Sequence, residues 1–440
     1  MKDSIADITA QNHTGEKIED DRIRSVSPPN EPTTFAEWRT VIMANFPDLV
    51  FPAEICASII AQILIRDITN PFALILVGAP SSGKTICVNF FDRIEGITYS
   101  TDAFSSAAFV SSAANIKKKD LADIHLLPRI KNKTFLVRDL ATIFSKRDDD
   151  LNEILGKLVR LLDGEGLSLD TGSHGRQNMT GSYLFMMIAA STPIPGRVWK
   201  MMGHLGSRLF FYNIQSRKKT DTELVAQLRT TAFKEKEYTC RDTSKNLLST
   251  LWDRNKTGII WDRNADSEEI SLVIVHCSKL LARTRGLISR WFEKHGRNGL
   301  VEYEYSPPVI ENPDRLSNLF YNLCRGHAVL TGRNQINTED LKLVVELAID
   351  SAPPTRARLF RGLVDNGGVM TTTQVQAHLE CSKTAAGTEM RTLEALGVCK
   401  IVEKYEGKVG QPPCQIQLAP EFEWFLSEEC RLIRGSSNNQ

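Results

Sequence analysis

Charge of one sign is what this chain lacks. Lys and Arg total 54 against 53 Asp and Glu, a formal net charge of +1 in 440 residues. Bulk electrostatics therefore gives no support for nucleic-acid binding, and only local basic patches would supply it. Paired cysteines are also lacking. The nine cysteines are scattered, odd in number and form no Cys-x-x-Cys. That argues against a disulfide framework or a structural zinc site and fits a reducing cytoplasm. Long apolar runs are missing too. Stretches such as 183–190 are far too short to span a bilayer, so no membrane partner is expected. The acidic, h-region-free N-terminus does not read as a signal peptide.

What is present is an ordinary globular composition, 42% hydrophobic and 24% charged, in a chain long enough for two or three domains. Residues 1–33 are polar, end in "SVSPPNEP", and read as a disordered arm. From "FAEWRTVIMANFP" onward apolar residues fall at helical spacing. Short apolar runs at 73–77, 107–111, 134–138, 184–190 and 208–213 then alternate with helical segments. That alternation predicts an α/β fold with a parallel sheet. A mostly helical section follows, up to about 352 and the Pro353-Pro354 pair. Beyond it the pattern is three helices and two strands.

The densest chemistry lies in "ALILVGAPSSGKTICVNFF", 73–91. Gly78, Ala79, Pro80, Ser81, Ser82, Gly83, Lys84 and Thr85 match the P-loop pattern G-x-x-x-x-G-K-[ST], between an apolar strand and a helical pattern. Glycines let backbone N–H groups turn inward around phosphate oxygens, and the following helix points its positive end at them. Lys84 reaches the β and γ phosphates, and the Thr85 hydroxyl ligates Mg²⁺. ATP and Mg²⁺ are thus the expected ligands. A P-loop ATPase also needs a strand ending in a carboxylate. "KTFLVRDLATIF" offers Asp139, but preceded by Arg138 rather than a second acid. Two readings stay open: Asp139 holds the metal, or it positions the attacking water while Arg138 replaces the metal acid. A plain helix cap is a third.

This order of motifs, over about 73–426, resembles the AAA+ ATPases, within them the branch containing the minichromosome maintenance helicases. "LNEILGKLVRLLDGEG" is an amphipathic helix with Leu151, Ile154, Leu155, Leu158, Val159 and Leu162 on one side. "LSLDTGSHGRQNMTGSYLF" resembles the family's pore hairpin, with its tip near His174, Gly175 and Arg176. "MMIAASTP" ends in Ser191-Thr192, where the resemblance implies a polar γ-phosphate sensor. In "GHLGSRLFFYNI" Arg208 takes the position of an arginine finger, acting in trans on a neighbour's phosphates. Arg315 sits where the family carries a second sensor arginine, in cis or in trans, with Arg283 and Arg285 as lesser candidates. The resemblance divides the chain into an α/β ATPase core at 34–225, an α-helical lid at 226–352, a winged helix-turn-helix at 353–430 and a disordered tail at 431–440. It implies a homo-oligomer, a hexamer by family habit.

The full signature of the replicative helicases at the acidic strand is absent, as is their zinc-bearing N-terminal region. The likeness is to the motor module, closest to stand-alone ATPases of bacteria and mobile elements. The Gly-Ala-Phe-Thr-Gly-Ala loop of sigma-dependent activators is not present. In the C-terminal segment "TTTQVQAHLE" and "KTAAGTEMRTLEALG" resemble the two helices of the DNA-reading motif. Lys383, Thr384 and Arg391, with wing residues Lys404 and Lys408 and hairpin Arg176, are the candidate DNA contacts. Winged helices also dock proteins, so a docking role stands beside DNA. The runs "IKKKD" at 116–120 and "QSRKKT" at 215–220 read as solvated faces. The function expected is a DNA-remodelling or translocating ATPase. An ATP-switched regulator or loader and a protein-remodelling or defence ATPase are the alternatives.

Overall fold

The structure is a computed structural model describing residues 31–109, 125–171, 175–205, 208–215, 219–229, 232–288, 291–295, 301–403 and 414–435. The first seven strands are β1 (Ala73–Val77), β2 (Thr98–Thr101), β3 (Thr134–Val137), β4 (Gly166–Thr171), β5 (Gly175–Thr180), β6 (Met186–Ser191) and β7 (Leu209–Asn213). Five form one parallel sheet in the order β2-β3-β6-β1-β7. β4 and β5 make a separate antiparallel hairpin. The central strand β1 is buried along all five residues, as a parallel strand covered on both faces must be.

Side-chain alternation sends the two faces of each strand into different cores. Leu74, Leu76, Leu136, Met186, Ile188 and Phe210 pack under helices Val50–Ala61, Lys84–Asn89, Asp314–Leu330 and Thr338–Asp350. Ile75, Val77, Phe135, Val137, Met187 and Phe211 pack under helices Asp148–Leu161 and Gly196–Leu205. Among the described residues one stretch, Pro47–Leu64, is long and apolar enough to cross a bilayer, but 78% of it is buried inside the fold. It is a core element. Its helix lies so close to Asp314–Leu330 that a Cβ on Gly326 would meet the Ser58 carbonyl oxygen at 2.2 Å.

The strand expected at 107–111 is not there. Ser106–Phe109 is helical and residues from 110 to 124 lie outside the described set. The sheet's outer strand is instead β2, Thr-Tyr-Ser-Thr, half-buried for most of its length. A strand with a neighbour on one side only need not be an apolar run, so the hydrophobic pattern passes over it. The helical section holds a second surprise, an antiparallel hairpin of β8 (Trp291–His295) and β9 (Val301–Tyr305). The last section runs helix Pro354–Asp365, β10 (Val369–Thr371), helices Thr372–Leu379 and Lys383–Ala395, β11 (Cys399–Glu403) and β12 (Cys414–Leu418), with a sheet ordered β10-β12-β11. Residues 431–434, expected in a tail, finish a helix whose Arg434 bonds Glu346 at 3.1 Å.

The open edge of β7 is closed by a helix end. Ser351 Oγ accepts from Phe211 N (2.8 Å) and donates to Phe211 O (3.2 Å), while Asp350 Oδ2 accepts from Asn213 N (2.7 Å). Backbone groups an edge strand would leave unpaired are thus satisfied. Arg361 bridges Asp350 (2.7 Å) and Glu346 (2.8 Å), joining the C-terminal section to the same point.

A buried charge network ties three helices of this layer. His327 lies between Glu54 and Asp340, and Arg333 also bonds Asp340. Arg39 is 3.6 Å from Glu54. Burial opposes a charged imidazole, but the hydrogen bonds and charges of Asp340 and Glu54 outweigh it and raise His327 to about 9. A pKa raised above the unfolded value near 6.5 contributes stability that is whole below pH 6.5 and lost as pH rises through 9. Urea unfolding should therefore show His327→Gln destabilised by on the order of 1–3 kcal/mol at pH 6.5. That gap should narrow by pH 9.5. A gap independent of pH would mean that the ring is neutral in the fold.

Candidate nucleotide site and arginine cluster

β1 ends at Val77, between Ser191 of β6 and Asn213 of β7 in register. Residues 78–83 then turn back into helix Lys84–Asn89. Gly78 N donates to Ser191 O at 3.3 Å, anchoring the loop to the neighbouring strand. Ser81 (φ +64°) and Gly83 (φ +87°) both lie in the left-handed region. Such residues in a tight turn direct successive N–H groups to one side and form an anion cradle. A Cβ on Gly78 would meet Ser82 Oγ at 2.6 Å and Ile214 O at 3.2 Å, so a larger residue there would have to displace the Ser82 side chain. The helix has six residues, so loop amides rather than a long helix dipole carry the grip. Ala79, Pro80, Ser81 and Thr85 are exposed on the rim.

Lys84 is buried. Its Nζ donates to Gly78 O (2.9 Å), Ala79 O (2.7 Å) and Ser82 Oγ (3.3 Å). Burial pushes its pKa down against the opposing pull of the Asp139 charge. Those two charges are thus within electrostatic reach. The donor set of the loop and the exposed Thr85 and Asp139 suit a phosphate chain with a hard cation. Magnesium held largely by water and phosphate needs no protein cage, and among the described residues no group of three or more His, Cys, Asp or Glu is placed to form one.

Asp139 has two roles in view. Its Oδ1 accepts from Ala141 N at 2.8 Å, capping the short helix Ala141–Phe144, and its exposed carboxylate acts on Lys84. β6 separates β3 from β1, and Leu140 N bonds Ala190 O (2.8 Å), so the end of β3 that carries Asp139 is held beside β6 and Ser191. Ser191 is buried, its Oγ donating to Thr192 O at 2.9 Å, and Thr192 is half-buried. The cap and the chemistry separate in two variants. Asp139→Asn keeps an acceptor for Ala141 N, so its stability should stay near wild type, whereas Asp139→Ala should cost about 1 kcal/mol. If the carboxylate serves the reaction, Asp139→Asn should lower ATP turnover by about 10²-fold. Normal turnover with normal nucleotide binding would leave only the cap.

Sequence reading missed the partners of Arg138. Its guanidinium donates to Asp92 (2.8 Å), Asp102 (2.8 Å) and Asn89 (3.3 Å). The Asp102 hydrogen bond and the Asp92 charge raise its pKa against partial burial. Arg138 thus clamps the helix after the loop to the ends of β2 and β3. An arginine where an acid is usual was the available signal.

Arg208 stands at the other end of the sheet. β7 runs parallel to β1 with Leu209 opposite Ala73, so Arg208 and Gly78 are about six residues apart along the strands, roughly 20 Å at ~3.3 Å each. No side chain spans that distance to its own loop. Arg208 Nε donates to Asp163 Oδ1 at 2.6 Å, and Arg160 approaches the same carboxylate at 3.5 Å. Arg315 donates to Glu311 at 2.9 Å. Burial lowers the Arg315 pKa, and the nearby Arg208 charge lowers it further. The structure thus gathers Arg208 and Arg315 into one cluster, away from Lys84 and Asp139. Asp163 and Glu311 were not foreseen. Arg283 is spent on Glu421 (2.9 Å) and Leu396 O (3.2 Å), joining the C-terminal section to helix Glu268–Thr284.

The DNA candidates are spread over separate elements. Arg176 lies in β5 opposite Asp170, exposed, its Nε donating to Ser168 Oγ at 3.3 Å. Lys383 and Thr384 open helix Lys383–Ala395, exposed, after the Ser382 cap, and Arg391 is half-buried further along it. Lys404, Lys408, His174, the 116–120 run and residues 216–218 of the 215–220 run lie outside the described residues.

No family model matches the sequence, and no curated protein matches it. Among solved structures the chain is similar to one described as "The A form apo structure of NrS-1 C terminal region-CTR". Identity is 12%, covering 89% of this chain and 79% of that one, with a TM-score of 0.28. A TM-score this low establishes neither a shared fold nor a shared function.

Proposed function

We propose that the protein is a Mg²⁺-dependent ATPase of AAA+ type, resembling the minichromosome maintenance branch. In this reading it assembles as a homo-oligomeric ring and remodels or translocates DNA, with residues 353–430 acting as a winged helix-turn-helix. The observation that carries the ATPase reading is the 78–85 cradle: two left-handed residues, a glycine packed closely on Ser82, and a buried ammonium that feels the Asp139 charge. In this site Lys84 and the loop amides bind and orient the phosphates. Thr85 and Asp139 would hold the metal, which supplies charge neutralisation on the phosphate oxygens. Ser191 or Thr192 reports on the γ-phosphate end. The ring reading is supported by Arg208 and Arg315. They share one cluster, and Arg208 lies roughly 20 Å from its own loop, so in this reading the phosphates that Arg208 meets belong to a second subunit.

Two observations favour the alternatives. Arg138 in its Asp92–Asp102 clamp suits a slow ATP switch, because it leaves one acid where motors carry two. Leu396, just past helix Lys383–Ala395, packs against Gly286 of the preceding section, which suits a docking module. The deciding experiment is the ATP turnover rate with no nucleic acid, with single-stranded DNA and with double-stranded DNA, at 50 and 200 mM salt. Stimulation that fades with salt supports the DNA motor. A high DNA-independent rate supports protein remodelling, and tight ATP retention with slow turnover supports the switch.

A further inference from the structure

The helix that leaves the phosphate loop has Lys84 as its first residue and Asn89 as its last. At about 1.5 Å per residue the two stand roughly 7.5 Å apart along the axis. In so short a helix, whatever holds Asn89 also holds Lys84. Asn89 is held on both sides by its one amide. Its Oδ1 accepts from Arg138 Nε (3.3 Å), and its Nδ2 donates to Glu237 Oε1 (2.8 Å). A guanidinium offers only donors and a carboxylate only acceptors, so a single orientation of the amide satisfies both.

The two partners lead to different parts of the chain. Arg138 directly precedes Asp139, just past the end of β3. Its other two guanidinium nitrogens bond Asp92 and Asp102 (both 2.8 Å), and its backbone N bonds Thr101 O of β2 (3.2 Å). Glu237 lies in helix Phe233–Arg254, within the helical section. A second contact runs beside the polar one. Phe90, next to Asn89, packs on Phe46 with 5.6 Å between ring centres, and Phe46 meets Phe233 edge-on at 5.7 Å. Phe233 lies one helical turn before Glu237, on the same side of that helix. The end of the loop helix is thus joined to helix Phe233–Arg254 by a hydrogen bond and a chain of rings, and to the acidic strand by Arg138.

We propose that Asn89 is a positioning residue: through Arg138 and Glu237 it sets the placement of Lys84 relative to Asp139 and ties that placement to helix Phe233–Arg254, so that the helical section tunes turnover at the site. The inference rests on the nucleotide-site reading. Asn89 acts through Lys84 and Asp139 rather than on ATP itself.

The test is kcat and the affinity for ATP with Mg²⁺ in the full chain, with melting temperatures measured alongside. Asn89→Asp keeps an acceptor for Arg138 but sets a second carboxylate against Glu237. Its kcat should fall about tenfold or more, since a misplacement of about 1 Å costs up to about 10²-fold. Affinity should change far less, because the loop amides and Lys84 remain. Adding Glu237→Gln supplies an amide N–H to the new carboxylate, so the double variant should regain most of the lost kcat. Glu237→Ala, at a half-buried helix position, removes the acceptor alone and should lower kcat severalfold. It decides the matter if Asn89→Asp melts early. Lys84→Ala separates this inference from the reading beneath it. Turnover that survives Lys84→Ala overturns the nucleotide site and the relay together. Where Lys84→Ala abolishes turnover, two results overturn the relay alone. One is unchanged kcat in Asn89→Asp and Glu237→Ala. The other is a loss in Asn89→Asp that the double variant leaves in full.

Discussion

Lys84→Ala should cut ATP turnover by at least about 10²–10³-fold, the usual loss when one preorganised donor to a developing charge is removed. It should also weaken ATP binding. The ammonium is buried at the root of the loop, where it holds Gly78 O, Ala79 O and Ser82 Oγ and feels the Asp139 charge. Water cannot replace a point charge at that depth, because the low local dielectric strengthens what the ammonium does there. The same bonds mean that alanine leaves two carbonyls with one donor fewer, so circular dichroism and thermal melting must accompany the assay. A folded variant with full ATPase activity would remove residues 78–85 from phosphate binding and the nucleotide site with them.

How much of this was legible in the sequence follows from the range of each signal. Strands β1, β3, β6 and β7 are apolar runs buried on both faces, and each stood out. β2 did not, because Thr-Tyr-Ser-Thr sits at the sheet edge and keeps polar side chains half-exposed. The β9 signal was present as Val-Glu-Tyr-Glu-Tyr, a strict alternation, but it was submerged in a section dominated by long helical patterns. The loop lysine was legible because its motif is local. The Arg138 clamp was not: Asp92 is 46 positions away in sequence, and only the sheet order brings the two together. The acids that hold Arg208 and Arg315 divide the same way. Glu311 is four positions from Arg315, within reach of sequence reasoning, whereas Asp163 is 45 positions from Arg208.

The second large effect concerns Arg208. Its guanidinium is held by Asp163, 17% exposed, at the end of β7 remote from its own loop. Arg208→Ala should therefore leave ATP binding near wild type, because the subunit's own cradle is intact. Hydrolysis should fall about 10³-fold or more, the scale seen when a stabilising arginine is withdrawn from phosphoryl transfer. The pairing with Asp163 supplies a control. Asp163→Asn removes the carboxylate that positions the guanidinium but keeps the guanidinium itself, so its loss should be smaller than that of Arg208→Ala. An equal loss in both would mean that the pair serves the fold rather than the reaction. A weakened ATP affinity in Arg208→Ala would place the arginine at its own subunit's nucleotide, against the distance along the sheet.

The decisive measurement mixes the two dead variants. Arg208→Ala subunits carry a sound phosphate loop, and Lys84→Ala subunits carry a sound arginine. If the site is completed across a subunit boundary, co-assembly under subunit-exchange conditions should restore ATP turnover well above the sum of the separate variants, rising and falling with the mixing ratio. Turnover that stays at the sum of the two at every ratio, or a wild-type chain fully active as a monomer, would contradict the shared site and the ring.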